Sequence, residues 1–266
     1  MEYVCPTNTD AGAFGNKFKS LITAIRSKLN YKVCWLEGFP ELLETHYSAV
    51  NKEDLLYRLG CWRLALTHKE SIELDTSFRD QYPEFFDCEY IPFNLTYSRL
   101  RTIDGEYNRI PYCLKLSLTQ AVASIPWNND MCKLFYAIDQ VTDGKRLLGV
   151  SVRSWKNKYE LSNPLAQHRA KSFSIERYIQ VIKEYMDDFD NVVLSLDNDT
   201  LESEFEWLKN RFVFDSNLLE PYTPFQRIAA KAYMLSKCSL LIGDKQSTFI
   251  EAAWLLGGCR QHVLLL

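Results

Sequence analysis

The sequence predicts an α/β protein built from two open parallel-sheet units that face each other across a cleft. Three observations carry that expectation. A strand–loop–helix–strand order opens the chain, strands and helices alternate regularly from Leu147 onward, and the strands of that second half are short apolar runs. The 266 residues suffice for two modest domains, divided here as 1–140 and 141–266. Ligands of open α/β sheets sit beyond the carboxyl ends of the strands, so the cleft is where a site is expected.

Residues 1–5 read as a short strand, followed by the polar loop "TNTDAGAFGN". A helix is expected from Asn16 to about Leu29, because Phe18, Leu21, Ile22 and Ile25 recur at helical spacing. "YKVCWLEG" then reads as a strand and completes a βαβ unit. The middle, about 40 to 140, is rich in aromatics and prolines and reads as short helices joined by ordered loops. "RLLGVSVR" is a strand and "SWKNKYELSNPLAQHRAKS" a long polar loop. "FSIERYIQVIKEYMDDF" is an amphipathic helix with Ile175, Tyr178, Ile179, Ile182 and Tyr185 on one face. "NVVLSLDN" is a strand, "TLESEFEWLKNRF" and "PFQRIAAKAYMLSKC" are helices, and "SLLIGD" and "HVLLL" are strands around a helix starting near Thr248. The chain stops on a strand, where a doubly wound unit often adds a terminal helix.

Composition narrows the function classes. Apolar residues make up 47% and charged residues 24%, the balance of a globular protein. Lys and Arg number 15 against 18 Asp and Glu in residues 1–140, and 16 against 16 in the remainder. Neither half is basic, which argues against a long contact with nucleic acid; a bound phosphate would be held by a few aimed groups. The eight cysteines form no CxxC pair, and several sit in apolar runs, where a thiol acts as a small core residue. With no secretory h-region and no apolar run of about 18 residues, the expectation is a cytoplasmic protein without a membrane span. Nothing in the pattern specifies an oligomer.

Three short stretches could carry chemistry. In "LLIGDKQSTFIEAAWLLGGC", Thr248 and Glu251 fit a capping box, which alone explains a well-started helix. Capping still leaves Ser247 and the first helical amides facing the space beyond Gly243, and helix N-termini attract anions. In "LGVSVRSWKNK", Arg153 ends an apolar strand. It is either a solvent-facing strand end or a fork for a diphosphate, with Lys156 or Lys158 nearby. In "AGAFGNKFKS", Gly12 and Gly15 permit a tight approach and Asn16 stands at a helix start; the spacing is not that of a dinucleotide fingerprint.

Taken in order, "GAFGNKF", "GVSVRS" and "AYMLSKCSLLIGDKQSTFIEAAWLLGG" resemble the three blocks of fucosyltransferase-like enzymes. That superfamily includes the protein O-fucosyltransferases, the α1,6-fucosyltransferases and the bacterial nodulation fucosyltransferases. The resemblance implies the GT-B fold, α/β with two facing Rossmann-like domains and a cleft between them. Residues 1–140 would be the acceptor-side domain and 141–266 the nucleotide-sugar-binding domain. It also implies that Arg153 holds the donor β-phosphate and that Gly243, Ser247, Thr248 and Phe249 line the phosphates. Gly12, Phe14, Gly15 and Asn16 would lie at the donor, with Asn16 near the catalytic centre. Asp197 and Asn198 match the family's post-strand acidic pair, at the base or ribose. Two departures stand out: the family's His before the arginine is Ser151, and its Arg-Thr-Asp is Ser154-Trp155-Lys156. The chain also resembles, more faintly, chlorovirus-encoded capsid-glycan glycosyltransferases, some of which transfer xylose.

The expected activity is inverting transfer of fucose or a pentose such as xylose from GDP-fucose or UDP-xylose to a glycan hydroxyl. Breaking the sugar–diphosphate bond leaves charge on the departing phosphate, which Arg153 and the Ser247 helix end would stabilise. The acceptor needs a general base; Glu160 and Asp10 are candidates, with Asp75 and Asp80 as others. No metal is expected. "DDFD" (187–190) reads as a solvated helix end and "DND" (197–199) as a hydrogen-bonding turn, while the four histidines lack ligand spacing. The competing reading is a non-catalytic glycan- or nucleotide-binding module.

Overall fold

A computed structural model describes residues 3–6, 14–15, 18, 21–22, 25, 31–34, 41–44, 112–156, 164–208, 211–212, 219–244 and 247–266. Near the start, β1 (Tyr3–Pro6) and β2 (Tyr31–Cys34) pair in parallel, and Phe14, Gly15, Phe18, Leu21, Ile22 and Ile25 between them are helical. The βαβ opening is therefore present. Its helix already includes Phe14 and Gly15, ahead of the expected start at Asn16.

The second half holds a five-stranded sheet in the order β5-β4-β3-β6-β7, every pairing parallel. Its strands are β3 (Leu147–Val152), β4 (Asn191–Leu196), β5 (Arg211–Phe212), β6 (Leu240–Gly243) and β7 (His262–Leu265). Among the described residues the α-helices that accompany them are α1 (Tyr112–Ala123), α2 (Asn129–Thr142), α3 (Pro164–Ala170), α4 (Ile175–Tyr185), α5 (Pro224–Leu235) and α6 (Thr248–Leu256). Two expectations need correction. The stretch after Arg153 contains α3, whose Pro164 is pre-shaped for a first helical turn. The helix expected over 200–212 is a 3-10 helix at Asp199–Phe205, and its end, Arg211–Phe212, is instead strand β5, paired with β4.

The period-2 pattern of β3 separates two apolar layers. Leu148, Val150 and Val152 pack with Tyr178 and Ile182 of α4, Phe205 and Ile242. Leu147 joins the other layer, with Leu241, the buried faces of α1, α2, α5 and α6, and Phe14, Phe18, Leu21, Ile22, Leu42 and Leu43. α2 buries Met131, Leu134, Phe135 and Ile138, an i, i+3, i+4, i+7 stripe, against α5. Residues 41–44 are tied to the same body. Glu44 N–H donates to Pro126 at 3.0 Å, Asn128 N–H to Leu42 at 2.9 Å, and Leu43 bridges Trp127.

Candidate functional site

Strand order alone marks one location. From β3 the chain moves outward to β4 and β5, then returns to lay β6 and β7 on the other flank. The order therefore reverses between β3 and β6, and the crevice beyond their carboxyl ends is the topological switch point. Ser151 is in register with Gly243 of β6 and Ser195 of β4. Arg153, just past β3, and the start of α6, just past β6, accordingly share one edge of one sheet. Asp197 follows β4 at the same edge.

Arg153 is held closely. Its Nη1 donates to Asp197 Oδ2 at 3.0 Å, with 17% and 10% of the two side chains exposed. Asp197 also accepts from Ser154 N–H at 3.0 Å, Ser154 Oγ at 2.8 Å and Trp155 N–H at 3.2 Å. The carboxylate thus organises the whole turn after β3. A guanidinium carries five N–H donors, so one Nη1 bond to Asp197 and a second oxyanion are compatible. Trp155 has φ 59°, a left-handed conformation that is strained for a bulky residue. Its ring has the Arg153 guanidinium carbon 4.3 Å from the centroid and that of Arg169, on α3, at 4.5 Å. Lys156 Nζ lies 5.8 Å from the Phe173 ring.

The start of α6 differs from the capping-box expectation. Ser247 is the N-cap and Thr248 the first helical residue; the Ser247 hydroxyl makes no cap bond, and its own N–H donates to Asp244 O at 2.9 Å. Glu251 is buried in the first turn, where the helix dipole favours negative charge. Gly15 lies directly on this turn. A Cβ added there would stand 2.2 Å from Thr248 O and 2.8 Å from Phe249 N, so only glycine fits. The Phe14 ring packs edge-on against Phe249, with centroids 6.2 Å apart. At Gly243 a Cβ would meet Ile250 Cγ1 at 3.0 Å.

The structure therefore brings together parts of all three blocks: Gly15 and Phe14 from the first, Ser247, Thr248 and Phe249 from the third, and Arg153 on the same sheet edge. Asn198 is set apart by its local role, since its Oδ1 accepts from Thr200 N–H at 3.1 Å and Thr200 Oγ1 at 2.9 Å. Asp187, Asp188 and Asp190 are exposed, as a solvated helix end should be. Asp10, Gly12, Asn16, Asp75, Asp80, Lys158 and Glu160 lie outside the described residues.

Three residues at this edge were missed by sequence reasoning. Trp155 and Arg169 fell in the stretch read as loop; the only signal was an aromatic among cations. Tyr178 was read as one member of an apolar helix face. Its buried hydroxyl lies close to the Arg153 main chain but has no hydrogen-bond partner among the described residues. Burial pushes this phenol well above its ordinary pKa, and the Asp244 and Asp197 carboxylates push it the same way against the Arg153 amide. It stays protonated. Among the described residues no group of three or more His, Cys, Asp or Glu is arranged to hold a metal ion, and no helix is long and apolar enough to cross a membrane.

No family model matches the chain, and no curated protein matches its sequence significantly. Solved structures do match. NodZ alpha-1,6-fucosyltransferase soaked with GDP-fucose aligns at TM-score 0.51 and 15% identity, over 96% of this chain and 92% of that one. Fucosyltransferase NodZ from Bradyrhizobium aligns at 0.49 and 15% identity over 96% and 92%, and POFUT1 in complex with GDP-fucose at 0.46 and 11% over 99% and 97%. The first of these carries the likeness of fold. A parallel sheet with its order reversed at β3 and β6, matched over nearly its whole length by a fucosyltransferase, gives this chain a fold similar to that of the fucosyltransferases its three blocks resemble.

Proposed function

We propose that this chain is a glycosyltransferase that moves a sugar from a nucleoside-diphosphate donor to a glycan hydroxyl with inversion. The observation that supports this most is that Arg153 and the α6 N-terminus follow the carboxyl ends of two neighbouring parallel strands, β3 and β6, at the point where the strand order reverses. The fold likeness to a fucosyltransferase soaked with GDP-fucose supports the donor class, and fucose or a pentose such as xylose would be the sugar. In this reading the donor lies in a cleft between residues 1–140 and 141–266, with its diphosphate at Arg153, Ser247, Thr248 and Phe249. As the glycosidic bond lengthens, charge gathers on the leaving phosphate, and fixed cationic and amide donors stabilise it without reorganising. Arg153 and the first turn of α6 supply those donors, so the reaction has no obligatory metal. Glu160 or Asp10 takes the acceptor proton.

Arg153→Ala is expected to abolish transfer from GDP-fucose or UDP-xylose with the circular dichroism retained, while melting falls because Asp197 loses its largely buried partner. Transfer at a rate near wild type would defeat the assignment. Activity should also survive exhaustive chelation. A second reading, a non-catalytic binding module, is favoured by one feature: the family's histidine position is Ser151, buried within the sheet between Gly243 and Ser195. Calorimetry with nucleoside diphosphates alongside donor hydrolysis separates the two, since binding without any turnover supports the module.

A further inference from the structure

We propose that Asp197 is a positioning residue of this site, which fixes the turn after β3 where Arg153 stands and makes no contact with the nucleoside. This role rests on the glycosyltransferase reading and deepens it, since the resemblance would place Asp197 at the base or ribose. A carboxylate offers only acceptors, about four lone-pair directions over its two oxygens. Four donors already meet Asp197: Arg153 Nη1 at 3.0 Å, Ser154 N–H at 3.0 Å, Ser154 Oγ at 2.8 Å and Trp155 N–H at 3.2 Å. The side chain is also largely buried. A ribose hydroxyl or a base N–H would have to displace one of these donors to reach it.

Ser154 completes the capture. It is wholly buried and donates to Asp197 through both main chain and side chain, and its Oγ accepts from Lys156 N–H at 3.2 Å. The Asp197 N–H in turn donates to Val152 O at 3.3 Å, which ties the ends of β3 and β4 together. Residues 152–156 are thus laced to one residue, and the left-handed backbone at Trp155 is held by the same bonds. Asn198, the other half of the acidic pair, is engaged by Thr200. Charge argues the same way. Arg153 and Asp197 form an ion pair without net charge, which attracts an anion less than a lone cation does. Beside a diphosphate the carboxylate is therefore an electrostatic handicap, and what it supplies is geometry: a guanidinium and two backbone amides kept in one arrangement.

The test is calorimetric titration of the full chain with inorganic pyrophosphate, GDP and UDP, at a temperature where circular dichroism shows each variant folded. Asp197→Asn removes a negative charge, so electrostatics alone would tighten pyrophosphate binding. Positioning predicts the opposite sign. Pyrophosphate should bind about tenfold more weakly, and whichever nucleotide wild type binds should weaken by the same factor to within about threefold. Weakening of the nucleotide alone would put Asp197 on the base or ribose and overturn the assignment. Pyrophosphate bound as well as by wild type, or better, would overturn it too, since a merely structural carboxylate moves melting and not affinity. If Asp197→Asn does not fold, Ser154→Ala decides by the same comparison, with a loss of about threefold expected for pyrophosphate and nucleotide alike. Wild type that fails to bind pyrophosphate, or binds neither nucleotide, would defeat the glycosyltransferase reading and this role with it.

Discussion

Tyr178 buries a phenol hydroxyl under the sheet edge without a hydrogen-bond partner among the described residues. An unmet buried donor is a cost, and deleting it removes that cost while keeping the ring that packs on Val150 and Phe205. Tyr178→Phe should therefore be neutral or stabilising by about 1 kcal/mol in urea denaturation. A clear loss of stability would show that the hydroxyl has a partner in solution. Gly15 poses the opposite case. Gly15→Ala drives a methyl into backbone atoms of Thr248 and Phe249, which cannot rotate away, and should destabilise by about 1–3 kcal/mol and weaken nucleotide binding. Sequence reading gave this glycine a tight approach without saying to what. Its actual reason, close approach to a helix near the other end of the chain, leaves no local trace. Arg153 was legible because a cation ending an apolar strand is conspicuous; its Asp197 partner was visible only as half of an acidic pair.

Capping illustrates the same limit among the elements. Both Thr248-Phe-Ile-Glu251 and Thr223-Pro-Phe-Gln226 fit the hydroxyl-to-carboxyl or amide spacing, but the sequence reading noted only the first. The structure builds the box at the second, where Gln226 N–H donates to Thr223 Oγ1 at 3.3 Å and Thr223 N–H to Gln226 Oε1 at 3.0 Å. Tertiary packing decided the outcome. Glu251 is buried in the first turn of α6, whereas Thr223 also donates to the Glu41 carboxylate of a distant segment. Thr223→Ala should cost about 1–2 kcal/mol, readable as a lower melting temperature, with Thr223→Ser recovering most of it. Strands β3, β4, β6 and β7 were all legible, because apolar runs of that length bounded by polar residues have few other uses. Helix α3 was not, being short, polar and without apolar period.

Across the whole molecule, the buried thiols set a pH dependence. Burial raises the Cys259 thiol to about 12, with Thr119 and Lys115 pulling weakly the other way, and burial raises Cys238 further. Unfolded thiols ionise near ~8.5. Between that value and the folded one the native state binds more protons, so stability falls as pH rises. The alkaline trend is reinforced by Lys237, whose raised pKa reflects bonds to Asp139 and Tyr233 that outweigh its desolvation. The urea midpoint should decline steadily from about pH 8 upward. Cys238→Ala with Cys259→Ala should flatten that decline, and an unchanged slope would refute the account. The α/β class and the parallel sheet were readable from alternation alone. The joining of Phe14, Phe18, Leu21, Ile22, Leu42 and Leu43 to α1, α2, α5 and α6 in one apolar layer was not, since packing partners so far apart share no sequence signal.

Gly15 resting on the carbonyl of Thr248 has a mechanical corollary. Backbone pressed to backbone, flanked by the interlocked rings of Phe14, Phe249 and Phe225, leaves no lubricating side chain to slide and no gap for solvent to wedge open. That joint travels as a single rigid piece. If a nucleotide donor binds at this sheet edge as proposed, any opening of the crevice is expected to be hinged away from this joint.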